Sequence, residues 1–424
     1  MFTTESVSEL EPALTRIRRH IHAHPELCFE EERTSAYVAG LLTEWGIPVV
    51  RNIGGYGLVG VLRNGAGTRS IGLRADMDAL PMQEMNTFPH ASRYAGKMHA
   101  CGHDGHTAML LGAACYLAEH RDFDGVVNFI FQPAEEGGGG ARRMIKDGLF
   151  DKCPMDAVFG MHNWPGMPVG RFGVRPDAMM ASSNTFKVTL SGRGSHAAQP
   201  HRSTDPMMVA VQIIQAWQTI VSRNVNPADP AVLSVTQIHV GSTNNVISDH
   251  AELGGTVRTF SNAVLDLIEL RMQAIAEGIA AAFDVELTFT FQRIYPSLVN
   301  HPADAAFAAD VMRSLVGAEN VDDNVDRAMA AEDFAFYMQH KPGCYAFIGN
   351  GDGAERLVGQ GSGPCQLHSA SYDFNDTAIP IGVSYWVSLA RAYLPSDSSC
   401  ELHRRPDDTA GVPPALSIIH SCFV

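Results

Sequence analysis

Residues 98–114 read MHACGHDGHTAMLLGAA, and the change of character within them decides the fold. The first half crowds His99, Cys101, His103, Asp104 and His106 into a short polar stretch. The second half has no charged residue and is small or apolar on every side, as a helix buried between layers is. Such a helix needs a sheet to lie against, and the flanking sequence supplies one. GLVGVLRNG (57–65), SIGLRAD (70–76), VVNFIFQPAEEG (126–137) and DAVFGMHN (156–163) are short apolar runs edged by turn residues. Helical patterns separate them, among them GHTAMLLGAACYLAEH (105–120) and GARRMIKDGLF (140–150). Strands alternating with helices predict an α/β domain with a largely parallel sheet covered on both faces.

Residues 184–294 follow a different pattern. NTFKVTLSG (184–192) alternates as a half-buried strand, and DPMMVAVQIIQAWQTIVSR (205–223) is an amphipathic helix opened by a capping Asp205 and Pro206. Two strands, a second helix (265–283) and a last strand (285–296) complete the order β-α-β-β-α-β, the ferredoxin-like split motif. This predicts an inserted domain at 184–294 within an α/β domain formed by 1–183 and 295–394. Residues 395–424 are rich in Pro, Ser and Asp and read as a tail outside the core, of a composition that favours disorder.

The 424 residues suffice for two domains. A net charge of −15 argues against nucleic acid as a partner, because phosphate binding needs clustered Lys and Arg. No apolar run approaches the roughly 18 residues of a membrane span. The first residues, MFTTESVSEL, have no apolar signal core, so a cytoplasmic location is expected. The eight cysteines form no CxxC pair, which argues against a zinc ribbon or thioredoxin-type site and suits thiols in a reducing compartment.

In doubly wound sheets, ligands bind beyond the carboxyl ends of the strands. Potential metal ligands stand at several such places: Asp76 and Asp78 after SIGLRA, Glu135 and Glu136 after VVNFIFQPA, His162 in DAVFGMHN, Cys101 and His103 before the buried helix, and His368 in CQLHSASYDF. Two metals can clamp both the attacking oxygen and the carbonyl oxygen of an amide. A ligand that bridges them must be an anion with more than one lone pair, which makes Cys101 a candidate bridge. A thiolate favours zinc and tolerates manganese, cobalt or nickel. Cys101 also admits a reading as a nucleophile with a histidine base, or as a buried thiol. In a continuing strand adjacent side chains point to opposite sides, so Glu136 is assigned as ligand and Glu135 as general base. Asp76 and Asp78 are expected to orient a ligand histidine. His99, His106 and the His20, His22, His24 cluster read as structural, and Asp104 as a cap for a helix starting near Gly105.

GLRADMDALPMQE (72–84), MHACGHDGHTAMLLGAA, FIFQPAEEGGGGARRMI (129–145), GMHNWPGMPVG (160–170), SGRGSHAAQPHRSTDP (191–206), GSTNNVISDHAELGGTVRTF (241–260) and AAEDFAFY (330–337) together resemble one family. It is the aminoacylase/carboxypeptidase family of dinuclear metallo-amidohydrolases, peptidase family M20. The similarity is strongest to the branch of hippurate hydrolases, N-acyl-amino-acid amidohydrolases and indole-acetyl-amino-acid hydrolases. The resemblance implies a zinc-exopeptidase-like α/β catalytic domain with an inserted lid and dimerisation domain. It implies two divalent ions, manganese or zinc before cobalt or nickel, on Cys101, His103, Glu136, His162 and His368, with Glu135 as general base. It also implies that His196 holds the carbonyl oxygen in a partner subunit's site, that Asn245 lies near the substrate, and that Arg258 receives the substrate carboxylate. The family usually has proline where this chain has Ser248. The implied substrate is a small N-acyl or N-aroyl amino acid, and the implied assembly a homodimer or homotetramer through the lid. Dipeptidase or carboxypeptidase action on short peptides is the alternative, and a cysteine hydrolase using Cys101 the more distant one.

Overall fold

The computed structural model describes residues 5–352 and 366–396, with the backbone of Leu357–Val358 and Gly361–Ser362. The tail assigned to 395–424 lies outside the described residues from 397 onward. The chain forms two compact units. One comprises Met1–Asp177, Asn300–Val325 and Tyr337–Val424, and the other Ala178–Val299 and Asp326–Phe336. The second unit therefore contains the whole 184–294 segment and adds flanking residues and a short returning piece.

The first unit is built on an eight-stranded mixed sheet. Its order is Val49–Arg51, Leu58–Asn64, Gly125–Gln132, Ser70–Asp76, Ala157–Trp164, Gly343–Gly349, Phe172–Gly173 and Val321–Asp322. The four strands from Gly125–Gln132 to Gly343–Gly349 run parallel, and antiparallel pairings flank them on both sides. Every residue of Ser70–Asp76, Gly125–Gln132 and Gly343–Gly349 is buried. Continuous rather than alternating burial is what helices on both faces of a parallel sheet require.

The helix His103–Glu119 is buried without interruption from His103 to Ala114, which is why its sequence shows no polar face. It packs against the helices Glu5–Ala23 and Ile379–Tyr393. Gly112 allows that close approach, since a Cβ there would lie 2.5 Å from Val383 Cγ2 and 2.6 Å from Leu14 Cδ1. The parallel strands all end at one edge, and that edge carries Asp76, the Glu135–Glu136 turn and His162.

The second unit has the predicted β-α-β-β-α-β order. Its antiparallel sheet runs Ala231–Val240, His250–Thr259, Ser183–Ser191, Glu286–Tyr295. Alternation in Ser183–Ser191 turns Phe186, Val188 and Leu190 inward, under the helices Pro206–Arg223 and Asn262–Ala282. Asp205 caps the first helix by accepting the Met207 N–H at 2.9 Å. Trp217 is fully buried, and its indole N–H donates to Met272 O at 2.9 Å, tying the two helices together. Truncating such a side chain costs about 3–5 kcal/mol.

Candidate metal centre

Gly102 sets the geometry of the opening stretch. Its φ of 91° is left-handed, and a Cβ there would fall 2.3 Å from Asn163 Nδ2 and 2.4 Å from Tyr372 Oη. With glycine at that bend, Cys101 and His103 on either side reach one group of potential ligands. Asn163 holds the bend by donating to Cys101 O at 2.7 Å and accepting from Tyr372 Oη at 2.8 Å. His368 joins from a distant segment through its own N–H, which donates to Ala100 O at 2.7 Å.

Two groups of potential ligand atoms, each closing to within 4.8 Å, share Cys101. One is Cys101, His103 and His162, and the other Cys101, Glu136 and His368. The five residues that the family resemblance marks as ligands are thus brought together around one thiol. Cys101 Sγ lies 3.3 Å from His162 Nε2, and His368 Nε2 lies 3.1 Å from Glu136 Oε1. Glu135 is buried and forms a further group with His103 and Glu136.

The histidine tautomers follow from the partners of Nδ1. His103 Nδ1 donates to Asp78 O at 2.9 Å, and His162 Nδ1 to Asn163 O at 2.7 Å. With Nδ1 so engaged, Nε2 is in each ring the atom left for a metal. His103 Nε2 is buried and has no hydrogen-bond partner among the described residues. A ring nitrogen in that condition beside a thiol and carboxylates fits a cation. The donor set of one thiol, three imidazoles and one carboxylate fits a pair of divalent ions of the zinc or manganese kind.

Electrostatics point the same way. Burial raises the Cys101 thiol well above its ordinary value, and the charges of Glu136, Glu135 and Asp76 raise it further. A nucleophilic cysteine needs cationic neighbours instead, so these surroundings disfavour the nucleophile reading and favour a thiolate formed on a metal. Burial opposes charge on His103, yet Asp76, Asp78 and Glu136 outweigh it and raise the ring to about 10. Burial and the neighbouring His106 hold His162 well below its ordinary value, neutral and able to ligate.

The remaining polar residues separate by their partners. His106 donates from Nδ1 to Asp76 Oδ1 at 2.6 Å, and its Nε2 accepts from Asn163 N at 2.9 Å. Both nitrogens are used, so His106 has no lone pair to offer a metal. Asp76 also accepts from Arg74 Nη1 at 2.7 Å, and its Oδ2 stands 3.6 Å from His103 Nε2. Asp78 orients His103 mainly through its backbone carbonyl, while its Oδ2 accepts the Glu136 N–H at 2.9 Å.

Two sequence expectations fail in detail. The helix starts at His103, capped by backbone at Gly102, and Asp104 does not cap it. Asp104 is fully buried, 2.8 Å from His22 Nδ1 and 3.5 Å from Arg18 Nη1. Glu135 and Glu136 do not continue a strand. They sit in a turn after Ala134, whose φ is 56°, so the turn rather than strand alternation separates their directions.

Arg18, Arg74, Asn163 and Tyr372 escaped the sequence reading. Only the position of Asn163 directly after His162 could have flagged one of them.

His196, Asn245 and Arg258 belong to the second unit. His196 pairs with Val246 in a two-stranded ribbon, and the Ala197 N–H donates to Asn245 O at 3.1 Å, so His196 and Asn245 are neighbours. Arg258 is half-buried on His250–Thr259. Ser248, at the family's proline position, closes its turn by donating to His250 O at 2.8 Å.

Polarising a carbonyl and activating water side by side is the chemistry of the metal-dependent amidohydrolases, and this chain is one of them. It belongs to Peptidase family M20/M25/M40, whose sequence model matches residues 72–392. It is 42% identical over 388 residues to a hippurate hydrolase of Campylobacter jejuni, covering 92% of this chain and 98% of that one. It is 41% identical over 399 residues to an N-acetyl-L-cysteine deacetylase of Bacillus subtilis, covering 94% and 92%. A Bacillus subtilis structure described as a dinuclear metal-binding peptidase of the M20 family superposes with a TM-score of 0.78 at 33% identity, over 91% of this chain and 99% of that one.

Proposed function

We propose that the protein hydrolyses the amide bond of N-acyl or N-aroyl amino acids, of the hippurate or N-acetyl-amino-acid kind, to a carboxylate and a free amino acid. The observation that carries this reading is the pair of ligand groups meeting at Cys101, with Glu135 beside them. The two relatives support the substrate class, since one is named for hippurate and the other for an N-acetyl amino acid.

Cys101, His103, His162, Glu136 and His368 would hold the two divalent ions. When bound, the ions supply Lewis acidity that polarises the amide carbonyl and makes water acidic enough to lose a proton. Glu135 takes that proton from the attacking water and returns it to the leaving amine. The backbone carbonyls of Asp78 and Asn163 hold His103 and His162 with Nδ1 engaged and Nε2 left for metal, while Asp76 holds His106 behind them. His196 is assigned to the carbonyl oxygen in a partner subunit's site, Asn245 to substrate positioning, and Arg258 to the substrate carboxylate, which its planar fork suits.

The assembly is read as a homodimer or homotetramer through the second unit. Met207, Met208 and Val211 are exposed on the helix Pro206–Arg223, and Ile238 on the adjacent edge strand Ala231–Val240. That apolar face next to an unpaired strand supports association there. No helix among the described residues is long and apolar enough to cross a membrane. Cys101, Cys153 and Cys344 are free thiols, and a thiol used as ligand suits a reducing compartment, which supports the cytoplasm.

The test is a panel of N-acyl amino acids and dipeptides, assayed after chelation and reloading with zinc, manganese, cobalt or nickel. Glu135→Gln is expected to lose about 10²- to 10⁴-fold in turnover while retaining metal. Unchanged turnover in that variant, or full activity of metal-free protein, would refute the reading.

A further inference from the structure

Glu31 occupies the N-cap position of the helix Glu32–Glu44 but does not cap it. Glu26 does that work instead, accepting the Arg33 N–H at 3.1 Å and the Thr34 N–H at 2.8 Å. Glu31 is fully buried, and its Oε1 accepts two other backbone N–H groups, that of Ala134 at 2.8 Å and that of Phe29 at 3.1 Å. Both residues are non-glycine and left-handed, with φ of 56° at Ala134 and 60° at Phe29. Side chains with a Cβ adopt that conformation only when their surroundings impose it. One carboxyl oxygen therefore pins two unfavourable bends, and the one at Ala134 leads directly into Glu135 and Glu136.

From this geometry we propose that Glu31 is a positioning residue for hydrolysis, holding through the Ala134 N–H the turn that aims Glu135 and Glu136. Asp78 Oδ2 fixes the other end of the turn at the Glu136 N–H, at 2.9 Å. The two carboxyls grip residues 134 and 136, and Glu135 lies between the anchors. Burial, aided by the charge of Asp78, pushes Glu31 up to about 8. As a neutral acid it still offers a carbonyl oxygen to both N–H groups, and it adds no negative charge beneath the paired glutamates. The proposal rests on the reading of Glu135 as base and Glu136 as ligand.

Glutamine reproduces the neutral acid, alanine removes the acceptor, and aspartate is one methylene too short to reach Ala134. Glu31→Gln is expected to keep kcat within about threefold of wild type, and Glu31→Ala to lower it about 10- to 100-fold with KM within about twofold, the scale of a displaced reacting group. Bound metal should stay at the wild-type stoichiometry in both. Hydrogen exchange of the Ala134 amide, followed by mass spectrometry of the metal-loaded protein, should quicken in Glu31→Ala alone. Wild-type kcat in Glu31→Ala, equal losses in the glutamine and alanine variants, or loss of metal in step with kcat would each overturn the proposal. Should Glu31→Ala not fold, Glu31→Asp decides, a kcat loss of about tenfold supporting the proposal and an unchanged kcat overturning it. Glu135→Gln on the same substrate separates the two readings. If it is fully active, the assignment of the base fails. If it is impaired while Glu31→Ala is not, only the role of Glu31 fails.

Discussion

Two buried polar regions meet at the start of the helix His103–Glu119, and they differ in what their side chains converge on. Around Asp104, the cationic groups Arg18 and His22 each lie between carboxylates. Arg18 Nη1 lies 2.7 Å from Asp373 Oδ1 and its Nε 2.7 Å from Asp376 Oδ1, while His22 lies between Asp104 and Glu84 at 2.8 and 3.3 Å. Around Cys101, Glu135, Glu136, Asp76 and Asp78 gather beside His103, and His103 Nε2 is without a hydrogen bond. Both regions are buried clusters of histidine and carboxylate. What marks one as a cation site is the convergence of two ligand groups on one thiol, not the residue types and not an unpaired nitrogen, since His99 beside His22 has two of those.

The largest expected effect comes from removing the shared donor. Cys101→Ala deletes a ligand from both groups at once, so metal stoichiometry and turnover should fall more than the 10- to 100-fold typical of losing an outer partner. Cys101→Asp keeps an anion with several lone pairs and should retain both ions and measurable turnover. Metal analysis alongside kcat checks this, and an active, metal-free Cys101→Asp protein would break the contrast between the two regions. The next effect concerns the rim of the centre. Asp76→Asn weakens the partner of His106 and the neighbour of His103, and should cost about 10- to 100-fold in metal affinity, read by competition with a chelating dye.

The sequence showed the fold wherever burial writes itself into composition. VVNFIF and GCYAFIG are apolar throughout because both faces of their sheet are covered, and NTFKVTLS alternates because one face is not. The ligand candidates were visible because their residue types gather at the carboxyl edge of that sheet. Asp104 was misread because its partners, His22 and Arg18, lie more than 80 positions away, and neither periodicity nor local capping rules report such a pairing. The Glu135–Glu136 turn was misread as strand because nothing in PAEEGG announces that Ala134 turns left-handed under the hold of Glu31.

A smaller effect on activity, and a larger one on stability, is expected in the Asp104 region. Asp104→Asn removes one partner from a buried pair and should destabilise the fold by about 3–5 kcal/mol, because it leaves His22 and Arg18 undercompensated. The metal affinity of the protein that remains folded should change far less than in Asp76→Asn. Urea denaturation together with metal titration separates the two quantities. A loss of metal affinity as large as that of Asp76→Asn would merge the regions that the structure keeps apart.

The smallest effect is a pH dependence of stability. Burial opposes charge on His22, yet Asp104 and Glu84 outweigh it and raise the ring to about 9. Unfolded histidine titrates near about 6.5. A group raised on folding contributes stability that is complete below its unfolded value and is lost as pH rises through the folded one. The carboxylates move the opposite way. Burial would raise Asp104 and Asp373, but His22 holds Asp104 below the usual carboxylate range and Arg18 lowers Asp373 to about 2. Their share is complete above about pH 4 and is lost only in stronger acid. The region therefore contributes most between about pH 4 and 6.5 and loses the His22 share on the way to pH 9. The gap in urea midpoint between wild type and His22→Gln, at fixed metal concentration, should be widest near pH 6 and narrow steadily above it. A gap that stays constant from pH 6 to 9 would mean that His22 is neutral in the fold, and that the Asp104 region is held by hydrogen bonds rather than by matched charge.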